Sequence, residues 1–204
     1  LDATTRLVAR VYDPAGGNST SSGQTPVGTG WSAPLVREYL VNEVPAGPSD
    51  IIISEIMHEP YDLGDAMTEN GAFEWVEILN TSAGPVSLNG VRFTEGINFV
   101  FPGLTLNPAE RAIVVKDLEA FRNIYGFGRD IIIAGEFELS LDNEGEQLLL
   151  QTGSGEIIQD ISYASDNSWP RKAGNGYSLV YNSGDPTEGR NWTVSRSVLG
   201  SPGT

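Results

Sequence analysis

Cysteine is absent from the 204 residues, and histidine occurs once, at position 58. Without thiols the chain has no disulfide, no thiolate metal site and no cysteine nucleophile. A single imidazole excludes metal sites built on two histidines of one chain, and any Ser-His-Asp triad would have to include His58. With no nucleophile beside it in the sequence, His58 is interpreted as a strand-end or loop histidine.

Basic residues are also scarce, since 12 Lys and Arg stand against 27 Asp and Glu, for a formal net charge of −15. Binding to a phosphate backbone needs clustered cations, so this charge predicts no nucleic-acid partner. The carboxylates are scattered along the chain, which favours a solvated acidic surface. No stretch approaches the roughly 20 apolar residues that a membrane helix needs, so we expect no membrane insertion.

From Ile51 onward, short apolar segments are separated by Gly, Pro and Asn turns. Strands at this spacing predict an all-β antiparallel sandwich. One short helix is predicted in "DLEAFRNIYG", with Asp117 as its N-cap and Gly126 just past its last turn.

Two further strands are predicted before this region, in "TTRLVARVYD" and "WSAPLVREYLV", around a Gly/Ser/Thr-rich loop. A lone β-hairpin is not a stable domain, so we expect residues 1–44 to be the C-terminal strands of an upstream β-module. The pattern resembles the end of fibronectin-III-like or chitobiase C-terminal-like modules. The prolines and glycine of residues 45–50 predict a linker, and residues 51–204 then form the sandwich.

Several segments carry a second resemblance by their order and spacing. They are "IIISEIMHEP", "FEWVEILNTSAGPVSLNGVRF", "FPGLTLNPAERAIVVKD", "FELSLDNEGEQLLL", "SWPRKAGNGYSLVY" and "NWTVSRSVLGSPG". Together they closely resemble the lamin-tail domain in its bacterial form, over residues 49–203. This resemblance implies an immunoglobulin-like β-sandwich and no common catalytic residues. The heptad rod of nuclear lamins is missing from the sequence.

Glu74 and Glu77 flank Val76 in "FEWVEILN" and invite an acid/base interpretation. Alternation along a strand places residues three apart on opposite faces. A retaining glycosidase needs two carboxyls about 5 Å apart on the same side, which this pair does not supply. Glu77 shares the face of Trp75 and Leu79, so we predict a buried carboxylate bonded to backbone N–H groups or an arginine.

Glu55 is interpreted in the same way, because it alternates with Ile53 and Met57 in the preceding strand. The two strands could bring Glu55 near Glu77, although nothing in the sequence shows it. Tryptophans in sandwiches usually pack in the core or at edges, and sugar stacking on an exposed aromatic row is the alternative. We assign structural roles to Glu55, Glu77, Asn80, Trp169 and Trp192.

Calcium is the one cofactor that the sequence suggests. Asp62, Asp65 and Glu69 lie in the Gly-containing loop "YDLGDAMTEN", where carboxylates at short spacing can chelate Ca²⁺. The spacing does not match an EF-hand, and a solvated acidic loop is the other interpretation.

These observations predict a non-catalytic accessory or interaction module, not an enzyme. The resemblance implies a large exported bacterial parent protein, located outside the cell or in its envelope. The module would serve adhesion, scaffolding or presentation of a neighbouring domain, with proteins, cell-surface glycans or domains of the same parent chain as partners. The alternatives are a carbohydrate-binding module, which predicts exposed aromatics, and a Ca²⁺-dependent hydrolase fragment, which predicts clustered carboxylates in a pocket.

Overall fold

The computed structural model describes residues 44–61, 70–126, 131–170 and 173–204, together with the backbone of two N-terminal strands. The chain divides into two compact units, Leu1–Glu43 and Val44–Thr204. In the first unit, β1 (Thr5–Ala9) and β2 (Leu35–Tyr39) pair antiparallel. The N-terminal hairpin predicted from the alternating pattern is therefore confirmed, whereas its membership of an upstream module stays a prediction.

The second unit is a sandwich of two main sheets, which confirms the all-β, immunoglobulin-like prediction. Its strands are β3 (Ile51–Met57), β4 (Trp75–Asn80), β5 (Val86–Ser87), β6 (Arg92–Glu95), β7 (Phe99–Val100), β8 (Thr105–Leu106), β9 (Arg111–Val115), β10 (Ile133–Glu136), β11 (Gln147–Gln151), β12 (Ile157–Ser162), β13 (Leu179–Tyr181) and β14 (Trp192–Val194). The six-stranded sheet has the order β10-β9-β4-β3-β13-β14, the four-stranded sheet has the order β12-β11-β6-β7, and β5 pairs with β8. Only β9 and β10 are parallel among the described strand pairs.

Apolar side chains from both sheets fill the space between them. Ile53, Ile78 and Val114 extend from the six-stranded sheet, and Phe93 and Leu150 extend from the four-stranded sheet, all with 0% exposure. This interior is what the period-2 pattern of the strands predicts, because alternate residues of a strand face the same side.

The outer face of the six-stranded sheet is covered as well, by α1 (Leu118–Tyr125). Asp117 caps this helix by accepting a hydrogen bond from Ala120 N at 2.8 Å, as predicted. The Trp75 ring meets Tyr125 edge-on at 6.2 Å, and its Nε1 donates to the Tyr125 hydroxyl at 2.9 Å. A sheet covered on both faces explains why the consecutive residues 75–78 of β4 are all buried. No helix in the described part of the chain is long and apolar enough to span a membrane.

A β-bulge in β3 decides which of its residues share a face. Ile53 lies opposite Ile78 and Glu55 lies opposite Glu77, so Ser54 is an extra residue in the pairing. Ile53 therefore packs in the interior between the sheets, whereas Met57 packs beneath α1. The prediction that Ile53 and Glu55 share a face is wrong, because strict alternation does not continue through a bulge.

Residues 45–50, expected to form a linker, hydrogen-bond to β5. Ala46 N donates to Ser87 O at 2.9 Å, and Ser87 N donates to Val44 O at 2.7 Å. Ala46 is only 5% exposed and belongs to the sandwich core. These residues thus lead directly into β3 as part of the second unit.

Candidate functional site

Glu55 and Glu77 face each other on the outer side of the six-stranded sheet. Glu55 on β3 lies directly opposite Glu77 on β4, and their exposed fractions are 2% and 1%. Two buried carboxyls in adjacent positions require hydrogen-bond donors or cations around them. The sequence left open whether Glu55 and Glu77 come close together, and the structure shows that they do. The hydrogen-bond donors around the two carboxyls determine what the pair can do.

Glu55 is held by two serines from later parts of the chain. The Ser178 hydroxyl donates to Glu55 Oε1. Ser201 donates twice, from its backbone N to Oε1 and from its hydroxyl to Oε2, each at 2.8 Å. Both carboxyl oxygens of Glu55 thus have partners inside the fold.

Glu77 is bonded in a comparable way. The Ser54 hydroxyl, placed by the bulge, donates to Glu77 Oε1 at 2.6 Å, and Gly203 N donates to Oε2 at 2.7 Å. Arg111 Nε lies 3.1 Å from Oε1 but off the direction of a hydrogen bond, so Arg111 contributes charge attraction and not a hydrogen bond. Glu77 is bonded to a backbone N–H and paired with an arginine.

The C-terminal segment, residues 199–204, closes over the pair. It supplies the donors Ser201 and Gly203, and its Leu199 O accepts the Tyr125 hydroxyl at 2.6 Å. Gly200 has a φ of 76°, and a Cβ there would lie 2.7 Å from Glu55 Oε1. Only glycine therefore fits at this position without displacing the segment.

Burial raises the pKa of both Glu55 and Glu77, while the serine and backbone donors and Arg111 act in the opposite direction. The Glu55 charge also raises the pKa of Glu77. Because the C-terminal segment covers both carboxyls, no substrate reaches them in this conformation. The pair thus holds β3 and β4 to the C-terminal segment through buried hydrogen bonds.

A separate polar pocket of about 250 Å³ opens at the end of β3. It is lined by Glu59, Pro60, Tyr61, Gly71, Glu74, Asn143 and Asn175. Glu74 is only 4% exposed, and its Oε2 accepts a hydrogen bond from Leu141 N at 2.8 Å. Burial raises the pKa of Glu74 to about 7, against the opposing effects of the Leu141 N–H and the Lys116 charge.

His58 lies close to this pocket and is 3% exposed. Its ring packs on Tyr163 with centroids 5.0 Å apart, and its Nδ1 has no hydrogen-bond partner among the described residues. Burial lowers the pKa of His58 to about 4, so the imidazole is neutral at pH 7. No serine or threonine hydroxyl of the described residues hydrogen-bonds to His58, so no triad forms around it in this part of the chain.

Asn80 joins the turn after β4 to strand β8. Its Nδ2 donates to Gly84 O and Leu106 O, both at 2.9 Å, and its Oδ1 accepts from Ser82 N at 2.8 Å. With 1% exposure, the side chain holds the turn after β4 against β8.

Trp169 and Trp192 pack against each other with ring centroids 5.5 Å apart. They are 6% and 4% exposed, and Trp192 Nε1 donates to Pro186 O at 2.8 Å. Trp75 is fully buried beneath α1. These three side chains are packing residues and form no aromatic row for sugar binding; Trp31 lies outside the described residues.

The suggested calcium ligands Asp62, Asp65 and Glu69 also lie outside the described residues. Within the described ranges, no group of three or more His, Asp or Glu side chains is close enough to hold a metal ion. The calcium site therefore stays a prediction.

Sequence reasoning missed the polar pocket. Its lining residues come from four separate parts of the chain, and no local pattern links them. The nearest signal is "GNG" at residues 174–176, where Asn175 has a φ of 50° between two glycines that also have positive φ. That signal predicts a tight turn but says nothing about what the turn faces.

The family model described as the Lamin Tail Domain matches residues 45–165. Neither the curated proteins nor the solved structures that were compared with the chain gave a match. The matched residues include both main sheets as far as β12, as well as Glu55, Glu77 and Glu74. Because this match spans more than half of the sequence, the chain belongs to the lamin-tail-domain family.

Proposed function

We propose that this chain is a non-catalytic interaction module of a large exported bacterial protein. In this proposal it lies outside the cell or in its envelope and serves adhesion, scaffolding or presentation of a neighbouring domain. Residues 1–44 would be the end of a preceding fibronectin-III-like or chitobiase C-terminal-like module. The family membership and the immunoglobulin-like sandwich support an interaction role.

The observation that carries the proposal is the way the fold uses its buried carboxylates. Glu55 and Glu77 accept hydrogen bonds from serine hydroxyls and backbone N–H groups, and the C-terminal segment separates them from solvent. An acid/base enzyme needs such groups within reach of a substrate proton. Here the carboxylates hold strands together, which favours a structural module over a hydrolase.

A glycan-binding role is less well supported than protein binding. Sugar platforms need exposed aromatic rings, but Trp75, Trp169 and Trp192 are buried. Tyr61, at 49%, is the one strongly exposed aromatic residue in the described ranges, so no row of rings forms there. The acidic surface, with a net charge of −15, supports solubility and favours basic protein partners.

Binding and turnover assays on the full chain test this function. Immobilised chain should bind at least one purified domain of its parent protein or one exported protein, saturably and in competition with free chain. The same preparation should leave chromogenic esters, glycosides and phosphodiesters unchanged, with and without Ca²⁺. Turnover abolished by a single substitution such as Glu74→Gln would contradict the proposal, because a catalytic carboxylate would then be present.

A further inference from the structure

The polar pocket carries negative charge, and the Lys116 charge acts on Glu74 without forming an ion pair with it. Glu59 and Glu74 both line it, and neither forms an ion pair; the described ion pairs are Arg111–Glu77 and Arg190–Glu188. The Glu59 carboxylate accepts no hydrogen bond from the described residues. A polar cavity with two carboxylates that form no ion pair with the described residues is complementary to a cation.

Glu74 supplies the strongest indication that this cation comes from outside. The residue is 96% buried, and its Oε2 is occupied by Leu141 N, yet its Oε1 accepts no hydrogen bond from the described residues. Gly71 borders this oxygen, and a Cβ there would lie 3.1 Å from it. This oxygen is accessible from the pocket, so a ligand that carries hydrogen-bond donors can bond to it.

The rim adds acceptors and an aromatic ring. Asn143 and Asn175 are exposed, and their amides form no hydrogen bond with the described residues, so their oxygens are free to accept one. Gly176 N donates to Glu59 O at 2.8 Å, which fixes the turn that carries Asn175. Tyr61 is 49% exposed beside this turn and offers an apolar surface at the pocket mouth.

We propose that the polar pocket binds the cationic end of one lysine or arginine side chain presented by a protein partner. The ammonium or guanidinium group donates to Glu74 Oε1, to the Glu59 carboxylate and to the amide oxygens at the rim. The aliphatic part of the side chain packs on Tyr61. This assignment rests on the interaction-module function proposed above and names the chemistry of the partner.

A metal ion suits the pocket less well. Ca²⁺ takes six to eight oxygen ligands, whereas Glu74 has a single oxygen to spare. No group of three or more metal-binding side chains forms within the described residues. An organic cation with several N–H donors needs fewer ligands and matches the mixture of carboxylate and amide oxygens.

Binding of this cation is linked to protons. The charged and titratable groups around Glu74 are Glu59 across the pocket, Glu146 and Tyr163 behind it, and Lys116 on the strand side. A cation binds the ionised form of Glu74, so affinity rises as pH increases from about 6 to about 8. His58 stays neutral over this range and does not contribute.

NMR titration of the full chain tests the pocket directly. The probes are N-acetyl-lysine methylamide and N-acetyl-arginine methylamide, with N-acetyl-norleucine methylamide as the uncharged control. The charged probes should shift the amide signals of Gly71 and Leu141 and the side-chain amide of Asn143, whereas the norleucine compound should not. Glu74→Gln and Glu59→Gln should each weaken binding by about tenfold.

Glu95→Gln is the matched control, because it removes the same charge from an exposed position on β6. Equal affinities for Glu95→Gln and Glu74→Gln would overturn the proposal, as would equal shifts with the norleucine compound. Shifts of the same signals by Ca²⁺ without any by the charged probes would also overturn it, in favour of a metal site. A cooperative thermal unfolding transition shows that each variant is folded. A protein partner found without probe binding would leave the interaction function standing and reject only the pocket.

Discussion

Glu55 and Glu77 lie directly opposite each other on β3 and β4, and the last residues of the chain close over both. The donors that satisfy them come from β3 itself, from the residue before β13 and from the C-terminal segment. This arrangement joins the sheet to the end of the chain through hydrogen bonds in a buried site. Its energetic importance can be measured one residue at a time.

Truncation of Glu77 should destabilise the second unit strongly. Glu77→Ala leaves Gly203 N and the Ser54 hydroxyl without their acceptor and Arg111 without its counter-charge, so we expect a loss of about 3–5 kcal/mol in the free energy of unfolding. Urea unfolding measures it. Glu95→Ala, at an exposed position, should change the value by less than about 0.5 kcal/mol. Equal effects of the two substitutions would contradict a role for the buried pair.

Gly200→Ala should loosen the C-terminal segment. The new Cβ would lie 2.7 Å from Glu55 Oε1 and 2.8 Å from Trp75 Cζ2, at a φ of 76° that L-residues rarely adopt. We expect a loss of about 1–3 kcal/mol and faster hydrogen exchange at the Ser201 and Gly203 amides. Gly103→Ala is the control, because nothing lies within 4 Å of its ideal Cβ. Unchanged exchange in Gly200→Ala would show that the segment is not held by this close contact.

Glu74 should make stability depend on pH. Its pKa is raised from 4.5 to about 7 by burial, so the favourable contribution is complete below pH 4.5 and is lost as pH rises through about 7. Glu74→Gln has no such titration. Its free energy of unfolding should therefore rise relative to that of the wild type as pH increases from 4.5 to about 7. Urea unfolding at a series of pH values gives the difference directly. Parallel curves for the two proteins would contradict the raised pKa of Glu74.

His58 should make stability depend on pH in the opposite direction, over an overlapping pH range. Its pKa is lowered from 6.5 to about 4, so its contribution is complete above pH 6.5 and is lost as pH falls through about 4. The imidazole signals of His58 in NMR should titrate near pH 4. Titration near 6.5 would place His58 in solvent and contradict its burial.

Gln159 should be needed for the bulge in β3. Its Oε1 accepts the hydrogen bond of Ile53 N at 2.7 Å, which connects β12 to the other sheet. Gln159→Leu removes this acceptor from a site that is 5% exposed, so we expect a loss of about 1–3 kcal/mol. Gln147→Leu, at an exposed position of β11, is the matched control. Thermal or urea unfolding measures both, and a neutral Gln159→Leu would show that the bulge does not depend on this bond.

Local patterns in the sequence predicted much of this molecule. Alternation placed Glu77 on the face of Trp75, and both residues are buried there. The cap signal at Asp117 located the start of α1, and the Gly/Pro/Asn turns separated the strands. These features depend on neighbours within a few positions, so the sequence contains the information directly.

The bulge at Ser54 was beyond such reasoning. No residue near Ser54 marks the extra position, and the acceptor for Ile53 N is Gln159, 106 positions away on another sheet. The prediction that Ile53 and Glu55 share a face failed for this reason. A change of face within one strand follows from the pairing of that strand and not from its own pattern.

By itself the sequence determined the fold class, the family resemblance and the burial of Glu77, because strand period, turn residues and caps act over short distances. Only the tertiary structure decided that Glu55 meets Glu77, that Ser201 donates to a residue 146 positions earlier, and that Glu59 and Glu74 line one pocket. The physical reason is that strand register and loop packing arise from the simultaneous burial of many side chains. A one-residue shift in register would have placed each of these carboxylates elsewhere.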